Sequence, residues 1–420
     1  MADPFDPAAY PDSNASDPRR MGWMQGSPPP RERQIRFADG GTGRFPERRW
    51  ALSHLREFMP TANVWRGAGA PSPLAPADPA AQAALDALAF TTADGRPITW
   101  AQSLDQTYTD GIVVLHRGRL VYERYFGELE AHLPHAAYSV TKSFVGLLAA
   151  MRVHAGDLDP AAPVPHYLPE LADSAFGDAT VRQVMDMTTG VSYSEAYDDP
   201  AADIWRYARA GGMIARPPGY DGPDTFYDFL PTLRKEGAHG QVFAYKTVNT
   251  EVLAWILKRI TGLRLSTHLS QAIWSKLGCE NDAYFGVDPI GVEFGGGGLS
   301  TCLRDLARFG EMMRCDGQAN GHSVVEPAVI AGIRAGGRRE DFAASTYTHL
   351  KGWSYGAKWW VSHNAHGAYE ARGIGGQKVY VDPAAEVVIA RYASHPMMPN
   401  TLIDPVSLPA MHAMACALRA

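Results

Sequence analysis

The chain has 420 residues, 45% hydrophobic, 20% charged and 10% aromatic, enough to fold around a sizeable core in two or three structural units. Its formal net charge is -6, without the basic surplus that a nucleic-acid binder carries. No run of 18 or more apolar residues occurs, so no membrane span is expected.

The chain begins MADPFDPAAYPDSNAS and has no apolar h-region of a secretory signal, which makes the cytoplasm the expected location. The first hundred residues read as irregular. Pro28 to Pro30 and the stretch from Gly67 to Pro76 carry turn and linker signals. Between them, Trp50 to Met59 (WALSHLREFM) reads as a short amphipathic helix. Residues 1–100 are therefore expected to form an arm that wraps a larger body.

Regular structure begins near Gly111. The run GIVVLHRGRLVYERYF is two β-rich segments joined at His116-Arg117-Gly118-Arg119, a hairpin signal. Ser139 to His154 follows, apolar on most faces and stopped by Gly156, which predicts a buried helix. From about 165 to 290 the pattern is mainly helical, with Val181 to Met187 and Asn249 to Ile260 at helical spacing. The run Gly295 to Gly298 before Leu299-Ser300 has no following lysine for a phosphate loop and reads as a flexible wall or turn. Strand character returns in KWWVS (358–362), KVYVD (378–382) and EVVIARYA (386–393), and a helix over about 405–418 closes the chain.

Strands at both ends of the body and helices between them predict an α/β fold of the α+β kind. One antiparallel sheet is flanked by helices, and a helical domain is inserted between its parts. The expected division is 1–100 for the arm, 101–165 with 290–420 for the sheet domain, and 166–289 for the helical domain.

The sharpest chemical signal is Ser139-Val140-Thr141-Lys142. A hydroxyl is a poor nucleophile until a base takes its proton. Residues three apart share a helix face, so Lys142 can reach Ser139. The apolar flank (Phe144, Val145, Leu147, Leu148) supplies burial that lowers a lysine pKa. Ser139 also opens the helix, where free N–H groups can face a developing oxyanion. The competing reading is an N-cap serine followed by a solvated lysine. Only eight lysines occur, and Lys142 alone has a serine three positions before it.

Three further segments are candidates. Tyr245-Lys246-Thr247 precedes the helix around Leu253; Tyr245 and Thr247 both face a cleft if the segment is extended. A cation near Tyr245 would favour its phenolate and make it a proton shuttle; otherwise it packs a helix start. Gly373-Ile374-Gly375-Gly376-Gln377 precedes a strand and allows close backbone approach, so an N–H there could be a second oxyanion donor; the alternative is a plain turn. Tyr197 sits in a polar loop, SYSEAYDDP, and is either a site residue or a surface tyrosine. No HExxH or His-x-His pattern and no CxxC pair occurs, so neither a metal nor a disulfide framework is assigned. No cofactor is expected. The missing G-x-S-x-G elbow argues against an α/β-hydrolase.

Taken in order, SVTK, YKT and GIGGQ resemble the serine β-lactamase and penicillin-binding-protein superfamily. Stretches such as RRWALSHLREFMPTA (49–63) and NTEVLAWILKRITGLR (249–264) are similar to its 6-aminohexanoate-dimer hydrolase branch. The resemblance implies a serine hydrolase of small linear amides or short-chain esters that works through an acyl-enzyme. Ser139 would be the nucleophile, Lys142 its base and Tyr245 the donor to the leaving amine. The N–H groups of Ser139 and Ile374 would form the oxyanion hole, and Tyr197 would contact the amide nitrogen. The superfamily's Tyr-x-Asn is Tyr245-Lys246-Thr247 here, and its Lys-Thr-Gly is Ala371-Arg372-Gly373. Both changes weaken a β-lactamase reading. An acidic residue of the dimer hydrolases falls near Ala208, and a polar one is absent near Gly296. The alternatives are a carboxylesterase without useful amidase activity and a β-lactam-recognising module that does not turn over. The expected partner is a small-molecule substrate, with a homodimer as the candidate assembly.

Overall fold

The structure is a computed structural model that describes residues 9–419; the first eight residues of the expected arm and Ala420 lie outside the described residues. Its main sheet has seven strands: β1 (Thr109–His116), β2 (Arg119–Tyr125), β3 (Ser354–Gly356), β4 (Trp359–Val361), β5 (Tyr369–Gly373), β6 (Gln377–Asp382) and β7 (Val387–Ala393). They pair antiparallel in the order β3-β4-β5-β6-β7-β1-β2. The first hairpin thus adds to the last strand, with Ile389 opposite Val114. The hairpin turns on Arg117 (φ 51°) and Gly118 (φ 74°), the left-handed pair that matches strand twist in a two-residue loop.

Side chains alternate across the sheet. Val113, Leu115, Val379, Val381 and Val388 join one apolar cluster; Ile112, Val114, Tyr380, Val387 and Ile389 join another. Both faces are covered, so the strands read as continuous apolar runs. On the first face lie helices α1 (Val140–Ala155) and α3 (Leu303–Arg314), with α2 (Val248–Thr261) packed on α1; on the second lies α4 (Asp404–Arg419), beside Trp100 and Leu104. Each fully buried Leu, Ile or Phe contributes about 1.5–3 kcal/mol. The first cluster runs on through Leu168, Phe229, Leu253 and Trp274, so the mainly helical stretch shares a core with the sheet.

Three expectations change. The helix over 50–59 is two short pieces, Arg48–Ala51 and the 3-10 turn Leu55–Glu57, because His54 leaves helical geometry (φ -129°, ψ 18°). Strand β5 had no strong strand signal, since Glu370 and Arg372 interrupt its apolar pattern. They are buried as charges and face Lys378 and Asp404. The glycine run 295–298 is held rather than flexible, because Gly295 N and Gly296 N donate to the buried Glu251 carboxylate.

Candidate active site

The chain reaches Ser139 through a short strand, His135–Ala136, paired to Leu299–Thr301. Tyr138 then adopts φ 45°, a region that non-glycine residues rarely occupy. This bend delivers Ser139 to the start of α1, with its side chain on a cleft of about 250 Å³. The helix start cannot drift. Thr141 Oγ1 accepts from Leu299 N at 3.1 Å, and Ser143 Oγ donates to Lys358 O at 2.8 Å. Gly146 lets the chain at Ala357 cross the helix: a Cβ there would lie 2.0 Å from the Ala357 carbonyl oxygen.

Lys142 is 1% exposed, and its Nζ lies 2.8 Å from Ser139 Oγ. A second hydrogen bond runs from Nζ to the Gly296 carbonyl. Burial pulls its pKa down to about 8, against the opposing pull of Glu195 and Glu251. The lysine is therefore packed and oriented rather than solvated, and it gives up its proton far more readily than a free lysine. A second buried lysine, Lys358, donates to Val184 O at 2.6 Å, and burial holds its pKa well below the ordinary value.

Tyr245 enters the cleft from the turn before α2 and directs its hydroxyl to Ser139. Its ring stacks on Trp360 at 5.7 Å, and Lys142 Nζ is 5.2 Å from its centroid. The expected phenolate is not what this environment favours. Burial raises the Tyr245 pKa well above 10, and Glu195 adds to the rise. Tyr245 therefore holds its proton, which suits a donor. Of its neighbours, Lys246 turns away to Glu236 at 2.6 Å and the Val191 carbonyl. Thr247 lies behind Glu195, which accepts from its backbone N–H.

Tyr197 is partly buried on the cleft wall, edge-on to Trp205 at 6.0 Å. Glu195 joins these groups. It is paired to Thr247 and Tyr197, senses Lys142, and has its pKa raised by burial. Local sequence gives Glu195 no signal of its own beyond its place two residues before Tyr197.

The GIGGQ segment is a tight turn between β5 and β6, with Gly375 at φ 70° and Gly376 at φ 99°. A Cβ on Gly373 would lie 2.7 Å from Ala137 O and 3.1 Å from Ser139 N, so only glycine lets β5 come this close. Gln377 fixes the turn: its amide donates to Ile374 O at 3.2 Å and accepts from Ala393 N at 2.9 Å. Among the described residues, the N–H groups of Ser139 and Ile374 have no acceptor. Two free N–H groups beside a hydroxyl on a low-pKa amine can stabilise the oxyanion of a carbonyl that the hydroxyl attacks.

The glycine run is positioned by Glu251, on the buried face of α2. Its carboxylate accepts from Gly296 N at 2.6 Å, Gly295 N at 3.1 Å and the Tyr207 hydroxyl at 2.5 Å. A side chain on Gly296 would meet Thr247 Cγ2 at 2.4 Å. Glu251 thus holds the carbonyl that receives Lys142. Burial lifts the Glu251 pKa to about 7. Glu251→Gln replaces an acceptor by an NH₂ and leaves a buried N–H unpaired. The expected cost is about 1–3 kcal/mol of stability, read from urea unfolding midpoints.

Two cavities meet at Tyr197 and Ile374, and Ser139 lines one of them. The cleft is lined by Glu195, Tyr197, Tyr245, Trp360, Arg372 and Ile374. Arg372 donates to Asp404, while its Nε, 3.7 Å from Glu370 Oε2, and its Nη1 make no hydrogen bond among the described residues. The second cavity, about 360 Å³, shares Tyr197 and Ile374 and is walled by Trp205, Ala208, Phe294, Met398 and, from the expected arm, Leu55 and Met59. Arg48 is its charged wall residue, and no carboxylate lines it among the described residues.

The Beta-lactamase family profile matches residues 99–400. The chain belongs to the β-lactamase family. Within it, the chain is 37% identical over 391 residues to the 6-aminohexanoate-dimer hydrolase of Paenarthrobacter ureafaciens, covering 93% of this chain and 91% of that one. A solved structure from Bacillus anthracis, provisionally described as a 6-aminohexanoate-dimer hydrolase, superposes with a TM-score of 0.80 at 31% identity, over 93% of this chain and 98% of that one. A penicillin-binding-protein homolog from Caulobacter crescentus superposes at 0.58 and 18% identity, over 82% and 100%, a likeness of fold. This β-lactamase-family chain is a serine hydrolase with the mixed α/β fold that the motifs implied. No helix among the described residues is long and apolar enough to cross a membrane.

Proposed function

We propose that the protein cleaves linear amides and short-chain esters through an acyl-enzyme on Ser139, as a 6-aminohexanoate-oligomer-type hydrolase. The observation that carries this reading is the 2.8 Å contact between Ser139 Oγ and the Nζ of a lysine whose pKa burial lowers to about 8. Neutral Lys142 takes the Ser139 proton as Oγ attacks the carbonyl. The N–H groups of Ser139 and Ile374 receive the oxyanion. Tyr245 gives its proton to the leaving nitrogen or oxygen and regains one from Lys142. Water then enters and attacks the ester as the same pair takes its proton, and the pair returns that proton to Ser139 Oγ as the Oγ–acyl bond breaks and the acid leaves.

The two cavities suit a linear substrate with an arm on each side of the scissile bond. The larger one offers apolar walls and Arg48, with no partner for an amine end. That favours a neutral or carboxylate-ended chain there, and Ala208 in its wall keeps a carboxylesterase as the second reading. Purified protein assayed on 6-aminohexanoate dimer, short p-nitrophenyl esters and nitrocefin separates the readings. Turnover of the dimer supports the amidase; turnover of esters alone leaves the carboxylesterase; a burst without turnover leaves a non-catalytic module.

Tyr197 distinguishes amide from ester chemistry within the same protein. An amine needs a proton in order to leave, whereas p-nitrophenolate does not. Tyr197→Phe is expected to slow amide hydrolysis about 10–100-fold, roughly 1.4–2.8 kcal/mol, with little change on a p-nitrophenyl ester. Equal losses on both would make Tyr197 structural only. A cytoplasmic location and a homodimer belong to this proposal too. The four free cysteines suit a reducing compartment, and light scattering on purified protein tests the dimer.

A further inference from the structure

Away from the cleft, three side chains converge where α4 crosses the loop between β4 and β5. His366 comes from the loop; His412 and Cys416 come from α4, one turn apart on one face. One ligand atom from each lies within 4.8 Å of the others. His412 Nε2 and Cys416 Sγ are 3.6 Å apart. Ligands of a tetrahedral zinc stand roughly 3.4–3.6 Å from one another, given Zn–N near 2.0–2.1 Å and Zn–S near 2.3 Å. The pair on α4 already has that spacing, and His366 completes it with a movement of about 1 Å.

The surroundings hold His366 as a metal-binding histidine is held. Its Nδ1 is 2.8 Å from Asp382 Oδ2, so Nδ1–H donates to the carboxylate and Nε2 presents its lone pair. Asp382 is 0% exposed and is itself fixed, accepting from the Tyr380 hydroxyl at 2.9 Å and Ala385 N at 2.9 Å. The loop is tied as well: Asn364 Oδ1 accepts from His366 N at 3.1 Å and Ala368 N at 3.0 Å. Ala368, Tyr380, Met411, Met414 and Ala415 pack in one apolar cluster, so loop, strand and helix keep a fixed relation.

We propose that His366, His412 and Cys416 bind one zinc ion, oriented by Asp382. The sequence showed no metal pattern because the ligands are 46 and 4 residues apart and only the fold joins them. Imidazole and thiolate ligands select zinc over magnesium or calcium. Binding forms the Zn–S bond and releases the Cys416 thiol proton to solvent. Water takes the fourth position, and the ion fastens the C-terminal helix to the sheet.

The test uses untagged full-length protein, stripped with chelator and titrated with zinc sulfate by calorimetry. One zinc per chain is expected. Cobalt(II) loading should give a thiolate-to-cobalt charge-transfer band that Cys416→Ser abolishes. His412→Ala should weaken zinc binding at least tenfold, and Asp382→Asn by about 10–100-fold. His412 and Cys416 are exposed, so their variants should fold, and circular dichroism verifies this. Absence of zinc binding, or binding unchanged in Cys416→Ser and His412→Ala, overturns the site.

Discussion

Ser139→Ala is expected to lower turnover of any substrate by about 10⁴-fold or more, by analogy with other activated serine nucleophiles. In free energy that is about 5.4 kcal/mol of lost transition-state stabilisation. The substitution removes one oxygen, and little else depends on it. Ser139 makes no side-chain cap to α1. The helix start is held by Thr141 and Ser143 instead, through Leu299 and Lys358. Fold and oxyanion donors should therefore survive, so the loss can be assigned to chemistry. Intact-mass trapping with a slow ester should show one acyl adduct on the wild type and none on the variant. An adduct on another serine would move the nucleophile elsewhere.

Local sequence signals were sufficient for those parts of the site that are local. Ser139 and Lys142 are three residues apart on one helix, so helical geometry alone brings them together. The hairpin at Arg117-Gly118 and strands β6 and β7 followed from turn residues and β-branched runs. Groups that arrive from a distance left weaker signals. The Gly296 carbonyl that receives Lys142 lies 154 residues away, and a backbone oxygen has no signature in sequence. Glu251 was visible as a carboxylate on an otherwise apolar helix face between Val248 and Val252. That anomaly marks a buried acceptor, but not what it accepts from. Arg372 and Glu370 made β5 look unlike a strand because their charges are neutralised by Asp404 and Lys378, which only the folded sheet brings near. Tyr245 shows a different limit. Its position in the cleft was expected, yet its protonation is set by burial, and burial outweighs the nearby lysine.

The pH profile carries the second large effect. Lys142 must be neutral to accept the serine proton, and burial sets its pKa at about 8. At pH 7 about one molecule in ten then carries the neutral amine, so kcat/KM should rise nearly tenfold from pH 6 to pH 7. It should level off above pH 8, far below the free lysine value of about 10.4. Tyr245 should add no alkaline limb below pH 10, since its pKa lies well above the ordinary phenol value. Lys142→Arg keeps a cation at all these pH values because arginine does not give up its proton. It is expected to lose about 10³-fold or more in kcat/KM and to show no recovery between pH 7 and pH 9. Stability should move with the same group. Below pH 8 the folded chain carries a buried charge, and between pH 8 and about 10.4 only the unfolded chain holds that proton. Folding therefore gains stability as pH rises through this window. Lys142→Met removes the titration, so its unfolding midpoint should exceed that of the wild type at pH 7, and the gap should narrow by pH 10. A wild-type acid limb near pH 10, or an active Lys142→Arg, would remove Lys142 from the base role and leave it a structural partner of Gly296.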